Sequence, residues 1–458
     1  MSLDAFFRPG SVAVLGAGER PGSSGGAVMQ NLAASGFDGR IIPVNPKGGD
    51  VFGHTAKTSL TELDAPADLC VVVIRPDFIP AALKEAAATG HRNVLILPGG
   101  FQEAGPEGRA RDAEVRAIAA ETGMTIAGPN SAGLISLDRD APFAATFLSA
   151  MPPGPNRHGE VALITQSGAI AEEAIAAAKD RHISLGTVVS VGNGMHLGVT
   201  DYLDYLGARD RVSVVLLYIE SVPDEDAFIE ACQRVAKTKP VVALMGGRSS
   251  AGSAAAGAHT GASPTDDDRI AAFLDKAGAI RVTSLRQLML AGKGFGAFPQ
   301  GIGRRVLLLS NSGGPGVLAS DTASAGGLEL SGLPAAMVDR LRNNLPGEAS
   351  VANPIDLLAD AREDRFGMCF QALLDHGTDA YDAVLGIHVV PFMVQAEPVV
   401  ARLAEMAADC PIPMMHAMMG TLPGKADWFA KLEAAGVPTF DDVEQMADCA
   451  ALLARYRG

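Results

Sequence analysis

Cysteine is scarce in this chain. Its five residues (Cys70, Cys232, Cys369, Cys410 and Cys449) are scattered over 458 positions with no CxxC spacing. That excludes a zinc ribbon and a secreted disulfide framework, and it fits a reducing cytoplasm. Aromatic side chains are also few, 5% of residues with one tryptophan, which favours close backbone approaches and tight loops over stacking platforms. Positive charge is in deficit: 37 Lys and Arg stand against 52 Asp and Glu, a formal net charge of −15. A nucleic-acid face needs clustered excess Lys and Arg, so nucleic acid is not an expected partner and an anionic ligand has to be met locally. No stretch approaches the ~18 uninterrupted apolar residues of a membrane span, and the opening MSLDAFFRPG lacks the basic start and apolar run of a secretory signal. A cytoplasmic protein with no membrane partner is expected.

Several chemistries are missing too. The histidines show no HxxxH or HExxH spacing, so no metal site is expected. The string nearest to a P-loop, GTLPGKA from Gly420, fails on spacing and on the hydroxyl, and no GxSxG elbow occurs.

What is present points to a multidomain α/β protein. At roughly 150 residues per domain the length allows about three domains. Apolar residues (48%) and charged residues (19%) are ordinary for a globular protein, while 52 glycines exceed the usual ~7%. A short β-branched run, a Gly-containing turn and an Ala-rich helical stretch recur throughout, the signature of parallel α/β units. Strands are expected at 11–15, 41–44, 69–74, 93–97 and 124–127, with helices at 24–35 and 78–89. After the Pro/Gly-rich segment SAMPPGPNRHG (149–159), strands are expected at 160–164, 187–191, 212–218 and 240–244, with helices at 168–180, 199–207 and 225–237. After GFGAFPQGIG (294–303), strands are expected at 305–309, 383–390 and 412–415, and a helix at 441–456. The expected fold is three doubly wound α/β domains, at 1–148, 159–295 and 302–458.

Ligands in such folds sit at the carboxyl ends of strands, where four loops are rich in Gly, Ser or Asn: 16–26, 165–168, 192–194 and 310–316. In the first, Gly16-Ala17-Gly18 suits a phosphate cradle, although Pro21 stands where the dinucleotide fingerprint needs its last glycine. The second strand ends in Asn45-Pro46-Lys47, a cation where a nicotinamide-cofactor site would carry an acid for the ribose. That implies a ligand with phosphate near its ribose, as in coenzyme A; the alternative is a solvated surface lysine. Apart from Arg248 at its start, His259 is the one titratable group in the small-residue stretch RSSAGSAAAGAHTGAS, expected as a flexible loop. It is either a nucleophile or phosphoryl carrier, or incidental to a surface loop. Glu220, ending the strand VSVVLLYIE, is placed either to fix an imidazole tautomer or to cap the next helix. Thr165-Gln166-Ser167-Gly168 opens a helix as an anion site would, and Gly192-Asn193-Gly194 is the neighbouring wall.

The ordered set FFRPGSVAVLGAGERPGSSGG, IIPVNPK, IRPDFIP, LPGGFQEAG, GPNSAGL, TQSGAIAE, SVGNG, LYIES, AGAHTGA, NSGGPGVLASD and NPIDL resembles the NDP-forming acyl-CoA synthetases along essentially the whole chain. The resemblance implies a Rossmann-like CoA-binding domain at 1–148 followed by two flavodoxin-like domains at 159–295 and 302–458, in an α-type subunit of an acid–thiol ligase. It would interconvert acyl-CoA, phosphate and a nucleoside diphosphate with acid, CoA and a triphosphate, through an acyl phosphate and a phosphohistidine. By motif, Gly16, Gly18, Ser24, Gly25, Asn45, Pro46, Lys47, Ile74, Pro76, Gly99, Gly100, Gly128 and Asn130 would bind coenzyme A. His259 would be the phosphohistidine, Glu220 its steadying acid, and Gln166, Ser167, Gly168, Gly192, Asn193, Thr260 and Gly261 the phosphate site. ATP or ADP with magnesium would sit on a separate ATP-grasp β-type subunit, making a hetero-oligomer or homodimer that acts on a small carboxylic acid. Two departures stand out: Met245-Gly246-Gly247-Arg248 replaces the family's K-x-G-R, removing one positive charge near the phosphate, and Ser131 follows GPN where several relatives have Cys. A non-catalytic CoA- or acyl-CoA-binding regulatory module is the rival reading.

Overall fold

The computed structural model describes residues 3–156, 159–260, 266–391 and 394–456. These fall into two compact units, Met1–Lys179 with Ser184–Leu285, and Asp180–Ile183 with Arg286–Gly458.

The first unit holds two sheets. One is parallel, built from β1 (Ser11–Leu15), β2 (Arg40–Val44), β5 (Leu69–Val72), β6 (Asn93–Ile96) and β7 (Thr125–Ala127) in the order β2-β1-β5-β6-β7. A short hairpin, β3 (Asp50–Val51) and β4 (His54–Thr55), follows β2. These strands are apolar runs rather than alternating ones, as helices on both faces require. The order reverses between β1 and β5, so the crevice at their carboxyl ends is the switch point of a doubly wound sheet.

The second sheet has seven strands. Its parallel members are β10 (Glu160–Thr165), β11 (Leu185–Ser190), β12 (Val212–Ile219), β13 (Val241–Met245) and β14 (Ile280–Val282). An antiparallel hairpin, β8 (Gly133–Leu137) and β9 (Pro142–Thr146), adds to the free edge of β11, giving β14-β13-β12-β10-β11-β8-β9. The chain N-terminal to residue 148 is therefore hydrogen-bonded into the second sheet. Asp138, fully buried in the turn of that hairpin, pairs with Arg8, Arg209 and Arg211. Burial opposes its charge, but the Asp140 N–H and the Arg8 and Arg209 guanidinium groups hold its carboxyl below the ordinary value.

The second unit carries a six-stranded sheet in the order β16-β17-β15-β18-β19-β20: β15 (Val306–Ser310), β16 (Ser350–Val351), β17 (Ile355–Asp356), β18 (Ala383–Val389), β19 (Met414–Met419) and β20 (Thr439–Phe440). Helix Leu285–Ala297 lies mostly in this unit, so the division falls at Leu285/Arg286. The fold is α/β with three parallel-dominated sheets.

One expectation is corrected. The stretch expected as a flexible loop around His259 is an α-helix, Ser250–Thr260. Alanine is the best helix former and recurs along this run, and Ser249 Oγ accepts from the Gly252 N–H (3.1 Å) as an N-cap.

Candidate functional site

The loops after β1, β2, β5, β6 and β7 gather at one edge of the first sheet. Gly16 has φ +92°, and a Cβ there would sit 3.0 Å from Ile74 Cγ2; a Cβ on Gly25 would sit 2.1 Å from the Gly16 carbonyl oxygen. Helix Ser24–Ala34 can begin hard against the strand end only because both are glycine, and Ser23 Oγ caps it through the Gly26 N–H (3.2 Å). Asn45 closes the floor: its Nδ2 donates to the Ala17 carbonyl (2.8 Å) and its Oδ1 accepts from the Lys47 N–H (3.0 Å). Asn45 thus shapes the turn that carries Lys47 outward. Lys47 is exposed, and among the described residues no ion pair engages its ammonium. Pro76 packs where a Gly100 side chain would stand (2.9 Å), joining the β5 and β6 loops. Positive charge, open glycine backbone and a helix N-terminus suit a phosphorylated ligand such as coenzyme A.

The loops after β10, β11 and β12 form the second cluster. Thr165 Oγ1 accepts from the Ser167 N–H (3.0 Å), turning the chain into helix Gly168–Asp180, and Ser167 Oγ accepts from the Ile170 N–H (3.4 Å). The Gln166 amide is spent on the neighbouring strand end. Its Oε1 accepts from the N–H of Glu220 (2.6 Å) and of Ser221 (3.0 Å), and its Nε2 donates to the Ser221 carbonyl (2.9 Å). Gln166 therefore places Glu220, and its own N–H is taken by the Tyr218 carbonyl (3.2 Å). Tyr218, which the sequence reading passed over, hydrogen-bonds the Glu220 carboxylate; burial first, then that carboxylate, push the phenol up to about 12.

The two clusters meet at a cavity of about 890 Å³. A Cβ on Gly192 (φ +61°) would lie 2.2 Å from the Pro129 carbonyl oxygen, and the Asn193 N–H donates to that same oxygen (2.9 Å). Asn130 Nδ2 donates to Asn193 Oδ1 (3.2 Å), and Asn193 Nδ2 donates to Glu103 Oε2 (2.6 Å). Burial opposes the Glu103 charge, but hydrogen bonds from Asn193 and from backbone N–H groups, including those of Phe101 and Gly100, hold its carboxyl below the ordinary value. Arg116 bridges Asp112 and the Met195 carbonyl (2.8 Å). His196, also in the lining, accepts from the Ile126 N–H on Nδ1 (3.3 Å), which puts the proton on Nε2; burial, then Arg116, lower its pKa.

Of the residues expected from sequence, Asn130, Gln166, Gly192 and Asn193 line this cavity, and so does Gly257 of the helix Ser250–Thr260. His259 and Thr260 are in the last turn of that helix, but their side chains, and Gly261, lie outside the described residues. Gly16, Lys47 and their neighbours stand at the first cluster rather than in the cavity lining. Sequence reasoning missed Glu103, Arg109, Asp112, His196 and Tyr218 as site residues. Glu103 and Tyr218 stand inside quoted motifs, LPGGFQEAG and LYIES, but neither was singled out.

The second unit repeats the device of the β10 loop. Ser310 Oγ accepts from the Ser312 N–H (3.0 Å) ahead of helix Gly313–Ala325, and Asn311 exchanges two hydrogen bonds with Val389 (2.8 Å each) just as Gln166 does with the end of β12. The acid is not repeated: Val390 follows β18 where Glu220 follows β12.

Fold and site define a class, the alpha-type subunit of an NDP-forming acid–CoA ligase. The comparisons carry that reading. A CoA-binding domain matches residues 10–136, and a succinyl-CoA ligase-like flavodoxin domain matches residues 158–295. The chain is 32% identical over 457 residues to the alpha subunit of ADP-forming acetate–CoA ligase II of Pyrococcus furiosus, covering 98% of this chain and 97% of that one. It is 30% identical to ADP-forming acetate–CoA ligase I of Archaeoglobus fulgidus, of whose length it spans 64%. Among solved structures, acetyl-coenzyme A synthetase 1 of Ca. Korarchaeum cryptofilum, in complex with phosphate and ADP, superposes with a TM-score of 0.91 at 25% identity, over 99% of this chain and 97% of that one. The chain belongs to the family of ADP-forming acetate–CoA ligase alpha subunits, and its fold is a CoA-binding Rossmann-like domain followed by two flavodoxin-like domains. Membership implies a partner subunit. Among the described residues no helix is long and apolar enough to cross a membrane.

Proposed function

We propose that the chain forms, with an ATP-grasp β-type subunit in the cytoplasm, an acid–CoA ligase that works through an acyl phosphate and a phosphohistidine. The observation that carries this is the cavity where the GPN loop of one sheet and the GNG loop of the next are hydrogen-bonded together, with Gln166 and Gly257 on its walls. The domains are 1–148, 159–295 and 302–458. Coenzyme A is held along the first cluster: Gly16, Gly18, Ser24 and Gly25 at the helix N-terminus, Asn45, Pro46 and Lys47 at the ribose phosphate, and Ile74, Pro76, Gly99, Gly100, Gly128 and Asn130 along the arm. Phosphate sits at Ser167, Gly168, Gly192, Asn193, Thr260 and Gly261.

In the direction of acid release, phosphate oxygen attacks the thioester carbonyl, the C–S bond breaks, and the thiolate leaves as CoA. The His259 imidazole then attacks the phosphorus of the acyl phosphate, and the carboxylate departs with the bridging oxygen. Glu220, held by Gln166 and Tyr218, accepts a hydrogen bond from the other imidazole nitrogen and favours the cation that forms. The phosphoryl group passes to the diphosphate on the partner, with magnesium. Met245 leaves that phosphate one cation short, so the helix N-terminus after Ser167 takes a larger share.

The test is reconstitution. The isolated chain binds CoA but forms no thioester from ATP, CoA and acid, whereas chain plus ATP-grasp partner does, with a preferred acid found by screening. Nucleotide-dependent turnover by the isolated chain would overturn the division of labour. CoA binding without turnover by the pair under any acid would favour a regulatory module.

A further inference from the structure

We propose that Glu103 is a positioning residue that fixes which ends of the Asn193 and Asn130 amides face the site, so that the space beside Gly99 accepts a neutral N–H or S–H donor of the CoA arm and excludes phosphate. The inference rests on the reading of the first cluster as a CoA site. Glu103 Oε1 accepts the N–H groups of Gly100 (2.5 Å) and Phe101 (3.1 Å), leaving Oε2 for a side chain. A carboxylate can only accept, so the Asn193 atom 2.6 Å from Oε2 is Nδ2, and its other end is Oδ1. The Asn130 atom 3.2 Å from that oxygen must then be Nδ2, which turns Asn130 Oδ1 toward Gly99. One charge thus sets the direction of two amides.

The place it prepares is a cradle. A Cβ built on Gly99 would stand 3.0 Å from both Asn130 Oδ1 and Glu103 Oε1, so glycine leaves open a space faced by two acceptors, one of them anionic. Such a space suits a pantetheine amide N–H or the thiol S–H. A phosphate or carboxylate is repelled from it and kept to the side of the Ser167 helix N-terminus. The other acids around the cavity have partners of their own, Asp112 Oδ2 in Arg116, Asp201 in the Gly198 N–H and Asp224 in the Ala227 N–H, while the buried Asp112 Oδ1 has no hydrogen-bond partner. Among the described residues Arg109, which shares the lining, has no carboxylate partner.

Glu103→Gln tests the mechanism, because Oε1 of the new amide stays on Gly100 and Phe101. Its NH2 then faces Asn193, which must flip, and Asn130 flips in turn to present a donor to the cradle. Calorimetry on the full chain is expected to show CoA weakened about tenfold, with inorganic phosphate bound as well as in the wild type or two- to threefold better. Glu103→Asp, which keeps an acceptor-only end, retains CoA affinity closer to wild type. Equal weakening of both ligands by Glu103→Gln would mean general damage and overturn the inference, as would CoA affinity within twofold of wild type. A wild-type chain that does not bind CoA at all would overturn the CoA reading of the site and this inference with it.

Discussion

Replacing Gly192 with alanine tests whether the junction of the two sheets is as close as the structure shows. The residue has φ +61°, where a side chain costs about 1 kcal/mol relative to glycine. The new Cβ would stand 2.2 Å from the Pro129 carbonyl oxygen and 2.6 Å from that of Asn130, so the 128–131 loop has to retreat by about 0.8 Å to restore even a 3.0 Å contact. Overpacking of this kind costs about 1–3 kcal/mol, for a total of roughly 2–4 kcal/mol. At about 2–4 °C per kcal/mol for a domain of this scale, the melting temperature should fall by roughly 5–15 °C. CoA should bind more weakly, because Asn130 moves with the loop. Gly123→Ala is the control: its φ is +69° and nothing lies within 4 Å of its Cβ, so it incurs the backbone cost alone. Differential scanning calorimetry of the two variants separates the clash from the dihedral. If Gly192→Ala melts with Gly123→Ala and keeps wild-type CoA affinity, the interlock is not there.

Two further outcomes follow from the same physics. Lys47→Glu should lower CoA affinity by about tenfold or more at low salt, with the loss shrinking as ionic strength rises, while affinity for 3′-dephospho-CoA changes far less; isothermal titration in both salts decides it. In the second unit, burial pushes His388 down to about 4 and His416 down to about 3, with ring nitrogens on both that lack hydrogen-bond partners. Both are therefore neutral when folded, and the stability this represents is full above the unfolded value near 6.5 and falls as pH drops below it. Each should cost roughly 2 kcal/mol between pH 7 and pH 5, and Tm against pH for His388→Leu/His416→Met should be flatter over that window than for wild type.

The strand ladder was legible because its cause is local. Runs such as Val212–Ile219 are apolar, β-branched and bounded by turns, and the expected segment at 212–218 differs from the observed strand by one residue. Helix Gly105–Thr122 was not, since it opens on Gly-Pro-Glu-Gly and its many charged residues leave little apolar periodicity. The β8–β9 hairpin was missed because its place is decided by partners far along the chain, Ser190 for Ser131 and Arg209 and Arg211 for Asp138. The loop expected at His259 went wrong by composition: Gly and Ser suggested flexibility, while the alanines and the Ser249 cap favoured helix. The glycine loops of the site could be read because glycine marks its own geometry. Glu103 and Tyr218 could not be assigned roles, because neither acts alone: Glu103 works through Asn193, 90 residues away, and Tyr218 through Glu220 on the same strand end.

The most direct test of the central claim is phosphorylation of His259 itself. The chain is mixed with its ATP-grasp partner and γ-labelled ATP with magnesium, and the protein is separated and challenged with acid and base. The wild type should carry an acid-labile, base-stable label that CoA and acid discharge into thioester, and His259→Ala should carry none. Equal labelling of His259→Ala, or an unlabelled wild type in a pair that makes thioester, would contradict the account.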